Sequence, residues 1–200
     1  MNTEQTEVNL LVVKAFDSLR ILYFLGGSMA SSVHGIYRAT ADADFVAAVR
    51  PHHAEPLAAL LHPAFYADAE AIRCAAAAVR CFNVIHLDSM LKVDVFVAGT
   101  QPFHLMQMRR RVIQATSPDG QTTLYVASPE DTILAKLRWY CDGGAVSDRQ
   151  WNDVLGVLKV QGAALDRAYL DEWARELGLT YLLRRAIENA GLPPTVGSVG

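Results

Sequence analysis

Hydrophobic and polar positions follow two different patterns, which meet near residue 127. Before that point, short apolar runs end at turn residues and alternate with stretches of helical spacing. After it, apolar residues recur at helical spacing until the chain reaches Gly191 and Pro193. The pattern predicts a mixed α/β module over residues 1–127 and a helical module over residues 128–200. A cleft is expected between two such modules.

The individual runs predict the elements of the first module. Apolar runs predict strands at 21–25, 45–49, 82–87 and 91–97, and a last hairpin formed by 112–115 and 123–127. Helical spacing of the apolar residues from Val8 to Leu19 predicts a first helix, and further helices are predicted at 54–61, 69–79 and 102–111. The second module is predicted to hold four helices, with capping residues at Ser128, Ser147, Asp166 and Thr180. Strands mixed with helices in this order are typical of an α+β fold, a mixed sheet flanked by helices.

A glycine-rich turn follows the first predicted strand. Gly26, Gly27 and Ser28 end the apolar run, and a segment of small residues continues to Gly35. Two glycines permit a tight turn and a close approach of the backbone to a ligand. Ser28 is a suitable N-cap, and the free N–H groups at a helix start bind phosphate well. The turn is therefore a candidate phosphate site.

Two aspartates stand at the head of the next apolar run. Asp42 and Asp44 are two residues apart, so on a strand their side chains project from the same face. Two carboxylates on one face repel each other unless a cation lies between them. Mg²⁺ takes oxygen ligands and commonly completes its coordination with substrate phosphates. The pair is a candidate metal site beside the candidate phosphate site.

This combination resembles the signature of the polymerase-beta-like nucleotidyltransferase superfamily. In that superfamily a strand, a Gly-Ser turn and a helix precede an Asp-x-Asp/Glu pair, and a third carboxylate follows on a later strand. The wider pattern is similar to the abortive-infection nucleotidyltransferases of toxin–antitoxin systems. The residues that carry the similarity are Gly26, Gly27, Ser28, Arg38, Thr40, Asp42 and Asp44. The resemblance implies a nucleotidyltransferase-like mixed sheet and a C-terminal helical module that closes the cleft.

The resemblance also implies a role for Asp94. This acid interrupts an apolar strand, where an unpaired carboxylate would be costly to bury. One interpretation is a salt-bridged or edge-strand aspartate. The other, which the resemblance favours, makes Asp94 the third carboxylate beside Asp42 and Asp44, holding Mg²⁺ or Mn²⁺ and accepting a proton from the acceptor hydroxyl. Nucleotide-binding roles are implied for Gly26, Gly27, Ser28, Arg38, Thr40 and Lys136.

Lys136 lies at the edge of an apolar helical stripe, where most lysines extend their ammonium group to solvent. Residues 128–153 are similar to a family segment in which a lysine, an arginine and an acid follow the catalytic module. Lys136, Arg149 and Asp153 occupy those places, but Gln150-Trp151 stands where the toxins have Lys-Asp. Lys136 is thus a candidate phosphate ligand, and the roles of Arg149 and Asp153 stay open.

Composition narrows the class of protein. The chain is 52% hydrophobic with a net charge of -3, so it should fold and lacks the charge of a general nucleic-acid binder. Its three cysteines are odd in number and lack C-x-x-C spacing, which favours free thiols in a reducing compartment and a cytoplasmic location. The polar start does not resemble a signal peptide, and no run is long enough for a membrane span.

The functional hypothesis is nucleotidyl transfer. A nucleoside monophosphate would move from a Mg²⁺-bound triphosphate such as ATP to an acceptor hydroxyl, with release of pyrophosphate. RNA, protein and small-molecule acceptors all fit, and the toxin resemblance implies a cognate antitoxin as partner. The alternatives are a non-catalytic nucleotide-binding or interaction protein, and a metal hydrolase, for which the histidines lack ligand spacing.

Overall fold

The computed structural model describes residues 3–40, 42–116 and 120–193. Within these residues the chain forms seven strands and nine α-helices in a mixed α+β arrangement. The strands are β1 Tyr23–Leu25, β2 Ala43–Ala47, β3 Phe65–Tyr66, β4 Cys81–His86, β5 Lys92–Val97, β6 Val112–Ala115 and β7 Thr123–Val126. The helices are α1 Thr3–Ser18, α2 Gly27–His34, α3 Ala54–Leu61, α4 Ala69–Ala78, α5 Pro102–Arg110, α6 Pro129–Asp142, α7 Asp148–Gln161, α8 Arg167–Glu176 and α9 Thr180–Asn189.

All seven strands form one mixed sheet in the order β3-β4-β5-β2-β1-β7-β6. β2 and β5 run parallel to each other, as do β1 and β7, and the remaining neighbours are antiparallel. The hairpin predicted around residues 88–90 is present between β4 and β5. The predicted α+β class, a mixed sheet flanked by helices, is confirmed.

The two faces of the central strands differ in burial. Burial along β5 alternates, so that Val93 and Val95 are buried while Lys92 is exposed and Asp94 is half-buried. The buried face includes Phe45, whose ring packs edge-on against Phe16 of α1 at 5.9 Å between centroids. Helical packing therefore buries one face, and the acidic residues of the central strands lie on the other.

Most predicted boundaries agree with the structure to within two or three residues, but two predicted caps are wrong. Helix α2 begins at Gly27, so Ser28 lies inside it and is not its N-cap. Helix α9 begins at Thr180, and Leu179 stands at the cap position without a side-chain hydrogen bond. The predicted turn residues 117–119 lie outside the described residues, as does residue 41.

Capping residues in the sequence account for the starts of helices α6 and α7, whereas the short strand β3 has no such local signal. The hydroxyls of Ser128 and Ser147 accept hydrogen bonds from N–H groups in the first turns of α6 and α7, as predicted. Helix α4 ends where Val79 adopts a left-handed φ of 52°. Strand β3 was not predicted, because two residues are too short to show alternation.

Contacts divide the chain into two compact units. The first unit comprises the described residues up to Met29 together with Ala39–Ala127, and it contains the whole sheet. The second comprises Ala30–Arg38 and the described residues from Ser128 onward. The organisation into modules 1–127 and 128–200 stays a prediction. Residues 30–38 share their contacts with the later helices.

The second unit packs around α7. Trp151 contacts Tyr140 at 5.1 Å between ring centroids, and the Arg185 guanidinium lies 4.5 Å from the centre of the Trp151 ring. The segment after α2 approaches α7 closely, because a Cβ on Gly35 would lie 2.7 Å from the Val157 nitrogen. Two backbones can approach this closely only where a side chain is missing.

Candidate active site

Asp44 and Asp94 are neighbours on one face of the sheet. They are register partners in the parallel pair β2 and β5, so their side chains project in the same direction. Both are half-buried, and Asp42, two residues before Asp44, is exposed just before β2. Parallel strands lie about 4.8 Å apart, which brings two carboxylates within reach of one cation.

The glycine turn lies directly against Asp44. The Gly26 N–H donates to the Asp44 carbonyl oxygen at 2.7 Å. Gly27 has a φ of +56°, and a Cβ added there would lie 1.8 Å from Asp44 Oδ2. No side chain fits at this position, so Gly27 is required both by its left-handed backbone and by the space that the carboxylate fills.

Lys92 forms an ion pair with Asp94. Its Nζ lies 2.6 Å from Asp94 Oδ2. This hydrogen bond is the main reason that the pKa of Lys92 is raised; desolvation opposes the shift, and the charges of Asp94, Asp42 and Asp44 add to it. Alternation along β5 predicts that Lys92 shares a face with Asp94, but no pattern in the sequence assigns Lys92 a role. Its position two residues before Asp94 was the available signal.

The neighbouring strand β4 lies beside Asp94, and one of its side chains, Cys81, is affected by the charge of that residue. Asn83 is the register partner of Asp94 on the side away from Asp44. Burial raises the pKa of the Cys81 thiol, and the charges of Asp94 and, to a lesser extent, Asp44 raise it further. Cys74, Cys81 and Cys141 are free thiols, as their number and spacing predicted, and all three are exposed.

Thr40 carries a buried hydroxyl that has no hydrogen-bond partner among the described residues. Its Oγ1 is buried, and within the described part of the chain nothing donates to it or accepts from it. Buried hydroxyls in folded proteins are nearly always hydrogen-bonded. A ligand near Thr40 would satisfy this group, which is consistent with the nucleotide-binding role that the resemblance implies.

A second charged group lies in the other unit. Asp153 of α7 accepts hydrogen bonds from Arg38 Nε at 2.9 Å and from Lys136 Nζ at 2.7 Å. Burial alone would raise the pKa of Asp153, but the hydrogen bonds from Arg38 and Lys136 outweigh it and hold that pKa below its ordinary value. The same contact with Asp153 raises the pKa of Arg38.

The ion network around Asp153 gives Lys136 and Asp153 defined partners. Lys136 is 5% exposed, so it does not extend its ammonium group to solvent as most such lysines do. Asp153 accepts hydrogen bonds from both Lys136 and Arg38. Arg38 lies 115 positions before Asp153 in the sequence. Arg149 is exposed on the same helix as Asp153.

A Mg²⁺ ion requires several oxygen ligands around one point. Among residues 3–40, 42–116 and 120–193, no group of three or more His, Cys, Asp or Glu side chains is arranged to hold a metal ion. The donor chemistry nevertheless fits, since Asp44 and Asp94 are adjacent carboxylates and Asp42 lies two residues away. In the arrangement described, the cation on Asp94 is the ammonium of Lys92.

Comparison with known proteins defines the class of fold. No protein-family model matches the chain, and no curated protein matches it. Solved structures do match, and they assign the architecture to the nucleotidyltransferase-like fold.

The individual matches cover nearly the whole chain. An antigenic nucleotidyltransferase-like protein from Paracoccidioides brasiliensis is 18% identical, with a TM-score of 0.64 over 93% of this chain and 90% of that chain. The antibiotic-resistance factor ANT(2'')-Ia in solution is 13% identical, with a TM-score of 0.55 over 92% of this chain and 100% of that chain. Its complex with adenylyl-2''-tobramycin is 12% identical, with a TM-score of 0.50 over 90% and 99%. At these identities the similarity establishes the fold alone.

No helix in the described part of the chain combines the length and the apolar character that crossing a membrane requires.

Proposed function

We propose that this protein is a nucleotidyltransferase. It transfers a nucleoside monophosphate from a metal-bound nucleoside triphosphate to an acceptor hydroxyl, and pyrophosphate leaves. The nucleotidyltransferase-like fold supports this proposal, and the adjacency of Asp44 and Asp94 beside the Gly27 turn carries it.

The glycine turn is the proposed phosphate site. Gly27 and Ser28 open α2, and N–H groups at a helix start point toward a bound anion. The Gly26 N–H donates to the Asp44 carbonyl oxygen, so Gly26 is proposed to shape the turn against the nucleotide. Thr40 adds a buried hydroxyl that lacks a partner within the described residues. These groups would hold the triphosphate against the carboxylates.

Asp42, Asp44 and Asp94 are the proposed ligands of Mg²⁺ or Mn²⁺. When bound, the metal supplies Lewis-acid stabilisation of the charge that builds up on the reacting phosphate. Asp94 is the proposed acceptor of the proton from the attacking hydroxyl, which requires that Lys92 first leave its carboxylate. Positioning and charge neutralisation account for most of the catalysis in phosphoryl transfer.

Lys136 and Arg38 are proposed nucleotide ligands on the strength of the sequence resemblance. Asp153 holds both cations through direct hydrogen bonds, so we assign it the role of a positioning residue for them. Their buried or half-buried position supports a fixed orientation, since a held cation loses less conformational entropy when an anion arrives.

Pyrophosphate release tests the proposal directly. Asp44→Asn removes one charge from the proposed site and should reduce release from labelled triphosphate, with Mg²⁺ present, to background. Asp88→Asn makes the same change at the exposed tip of the β4–β5 hairpin and should leave turnover unchanged. Normal turnover in the Asp44→Asn protein, with its fold checked by circular dichroism, would contradict the proposal.

A non-catalytic nucleotide-binding protein is the second candidate. It is favoured by one observation, the ion pair in which Lys92 engages Asp94. Such a protein would show a higher melting temperature with Mg²⁺ and nucleotide, as ligand binding requires, but would release no pyrophosphate. A catalytic protein would show both effects.

The acceptor and the biological setting are further proposals. ANT(2'')-Ia is named an antibiotic-resistance factor and has been solved with adenylyl-2''-tobramycin, so a small hydroxyl compound is one acceptor to test. The toxin–antitoxin role, a cognate antitoxin and a cytoplasmic location rest on the sequence alone. Incubation with each labelled triphosphate, tobramycin and a cell lysate would identify which molecule becomes labelled. Growth arrest on expression would support the toxin role.

A further inference from the structure

A lysine ammonium lies at the proposed metal site. Lys92 opens strand β5, and its side chain follows the same face as Asp94, reaching Oδ2 at 2.6 Å. The ammonium therefore lies beside Asp94, whose register partner on the neighbouring parallel strand is Asp44.

A positive charge in this place relieves the repulsion between the carboxylates. Asp44 and Asp94 are register partners, so without a cation their like charges would oppose each other across one strand spacing. Lys92 supplies one charge. A divalent metal supplies two and binds carboxylate oxygens directly, so its preferred ligands include the oxygens that Lys92 engages.

Lys92 is able to leave this position. Its side chain is 45% exposed, and Asp94 is the salt-bridge partner described for it. A pair with one member this exposed contributes little free energy, because water screens it and the long side chain must be held in one geometry. Moving the ammonium into solvent therefore costs little free energy.

We propose that Lys92 is the resident counter-cation of the acidic site and competes with the divalent metal for Asp94. This inference rests on the proposed function, because it takes Asp42, Asp44 and Asp94 as the metal ligands. Lys92 is a positioning residue in this scheme. It stabilises the carboxylates before the metal arrives, and it sets the metal affinity by having to leave.

The test measures Mn²⁺ binding to the full chain by isothermal titration calorimetry, without nucleotide. Lys92→Gln should bind Mn²⁺ about five- to tenfold more tightly than the wild type, because the screened repulsion of one charge near a surface is about 1 kcal/mol or somewhat more. Lys92→Arg keeps the charge and should bind no more tightly than the wild type. Lys14→Gln, an exposed change on α1, is the matched control and should leave the affinity unchanged.

The outcomes separate this inference from the proposed function. Equal or weaker Mn²⁺ binding by a folded Lys92→Gln protein would overturn the role of Lys92. If Asp44→Asn still abolishes binding in that case, the metal site stands without it. If Lys92→Gln does not fold, tighter binding by Lys92→Arg would overturn the inference. If neither the wild type nor any Lys92 variant binds Mn²⁺, both the inference and the metal-dependent reaction fail.

Discussion

At the scale of single residues, the proposed site depends on a glycine that has no side chain to contribute. Gly27 leaves the space that the Asp44 carboxylate occupies, and its φ of +56° is strained for any residue with a Cβ. The proposed phosphate turn and the proposed metal-binding acid Asp44 are therefore packed directly against each other. A substitution at Gly27 would therefore move the Asp44 side chain, and a larger side chain at position 44 would collide with the turn.

Gly27→Ala tests this coupling. The new methyl group would collide with Asp44 Oδ2 and displace it, and displacing a catalytic group by about 1 Å can cost roughly a hundredfold in rate. We expect kcat/KM for nucleotidyl transfer to fall by at least about a hundredfold. Gly144→Ala is the matched control, because Gly144 also has a positive φ but has nothing within 4 Å of an added Cβ.

The control should lose about 1–2 kcal/mol of unfolding free energy from backbone strain, with full activity. Both proteins can be compared by urea unfolding and pyrophosphate release. Equal activity in the two variants would show that the contact between Gly27 and Asp44 does not matter.

The residues proposed for the site can be selected from the sequence because their types and spacing suit the proposed chemistry. Gly27, Asp42 and Asp44 lie within one short stretch, and alternation on a strand predicts a shared face for Lys92 and Asp94. The pairing of Asp44 with Asp94 is different, since it depends on which strands become neighbours. The same limit hid the contact of Asp153 with Arg38, because no local pattern encodes a separation of 115 residues.

At the scale of elements, helices α6 and α7 are joined by a buried ion network. Lys136 of α6 and Asp153 of α7 are each less than one-tenth exposed, and Arg38 adds two hydrogen bonds to the same carboxylate. Asp153 is thus required to keep two cations satisfied. The helices themselves were predictable from their caps at Ser128 and Ser147, but this link between them was not.

Asp153→Asn should destabilise the second unit. Removing one partner of a buried ion network leaves uncompensated charge and costs about 3–5 kcal/mol. We expect a loss of at least about 3 kcal/mol in unfolding free energy near neutral pH, measured by urea unfolding. Asp142→Asn, which removes an exposed partner of Arg138, should cost at most about 1 kcal/mol.

The same network predicts how stability depends on pH. The pKa of Asp153 in the folded protein lies below its ordinary value of 3.8, so the ionised form is favoured by folding. Its contribution is complete above that ordinary value and is lost as pH falls through the lowered folded pKa. The difference in stability between wild type and Asp153→Asn should therefore shrink in strong acid. A constant difference across this range would contradict the assigned ion network.

At the scale of the whole molecule, the two units do not follow the order of the chain. The second unit takes Ala30–Arg38 from between the glycine turn and the first acids. Three contacts tie this segment to the later helices. They are the approach of Gly35 to Val157, the hydrogen bond from Gln161 to the His34 carbonyl oxygen, and the pairing of Arg38 with Asp153. Hydrophobic patterning predicted a boundary near residue 127. It could not predict that the earlier segment Ala30–Arg38 would pack with the helices that follow this boundary.

A fragment experiment tests this organisation. Residues 128–200 expressed alone lack the partners of Asp153 and Val157 from the earlier segment, so we expect no cooperative thermal transition by circular dichroism. The same fragment preceded by residues 27–40 on a flexible linker should regain a cooperative transition. A sharp transition in the shorter fragment would show that residues 30–38 are dispensable for folding of the second unit.

The contact between Gly27 and Asp44 also has an evolutionary consequence. Since a side chain at position 27 would collide with the Asp44 carboxylate, homologues that carry out the proposed nucleotidyl transfer should keep glycine there. Homologues that do not carry it out are released from that requirement. The residue at position 27 should therefore distinguish active from inactive homologues by sequence alone.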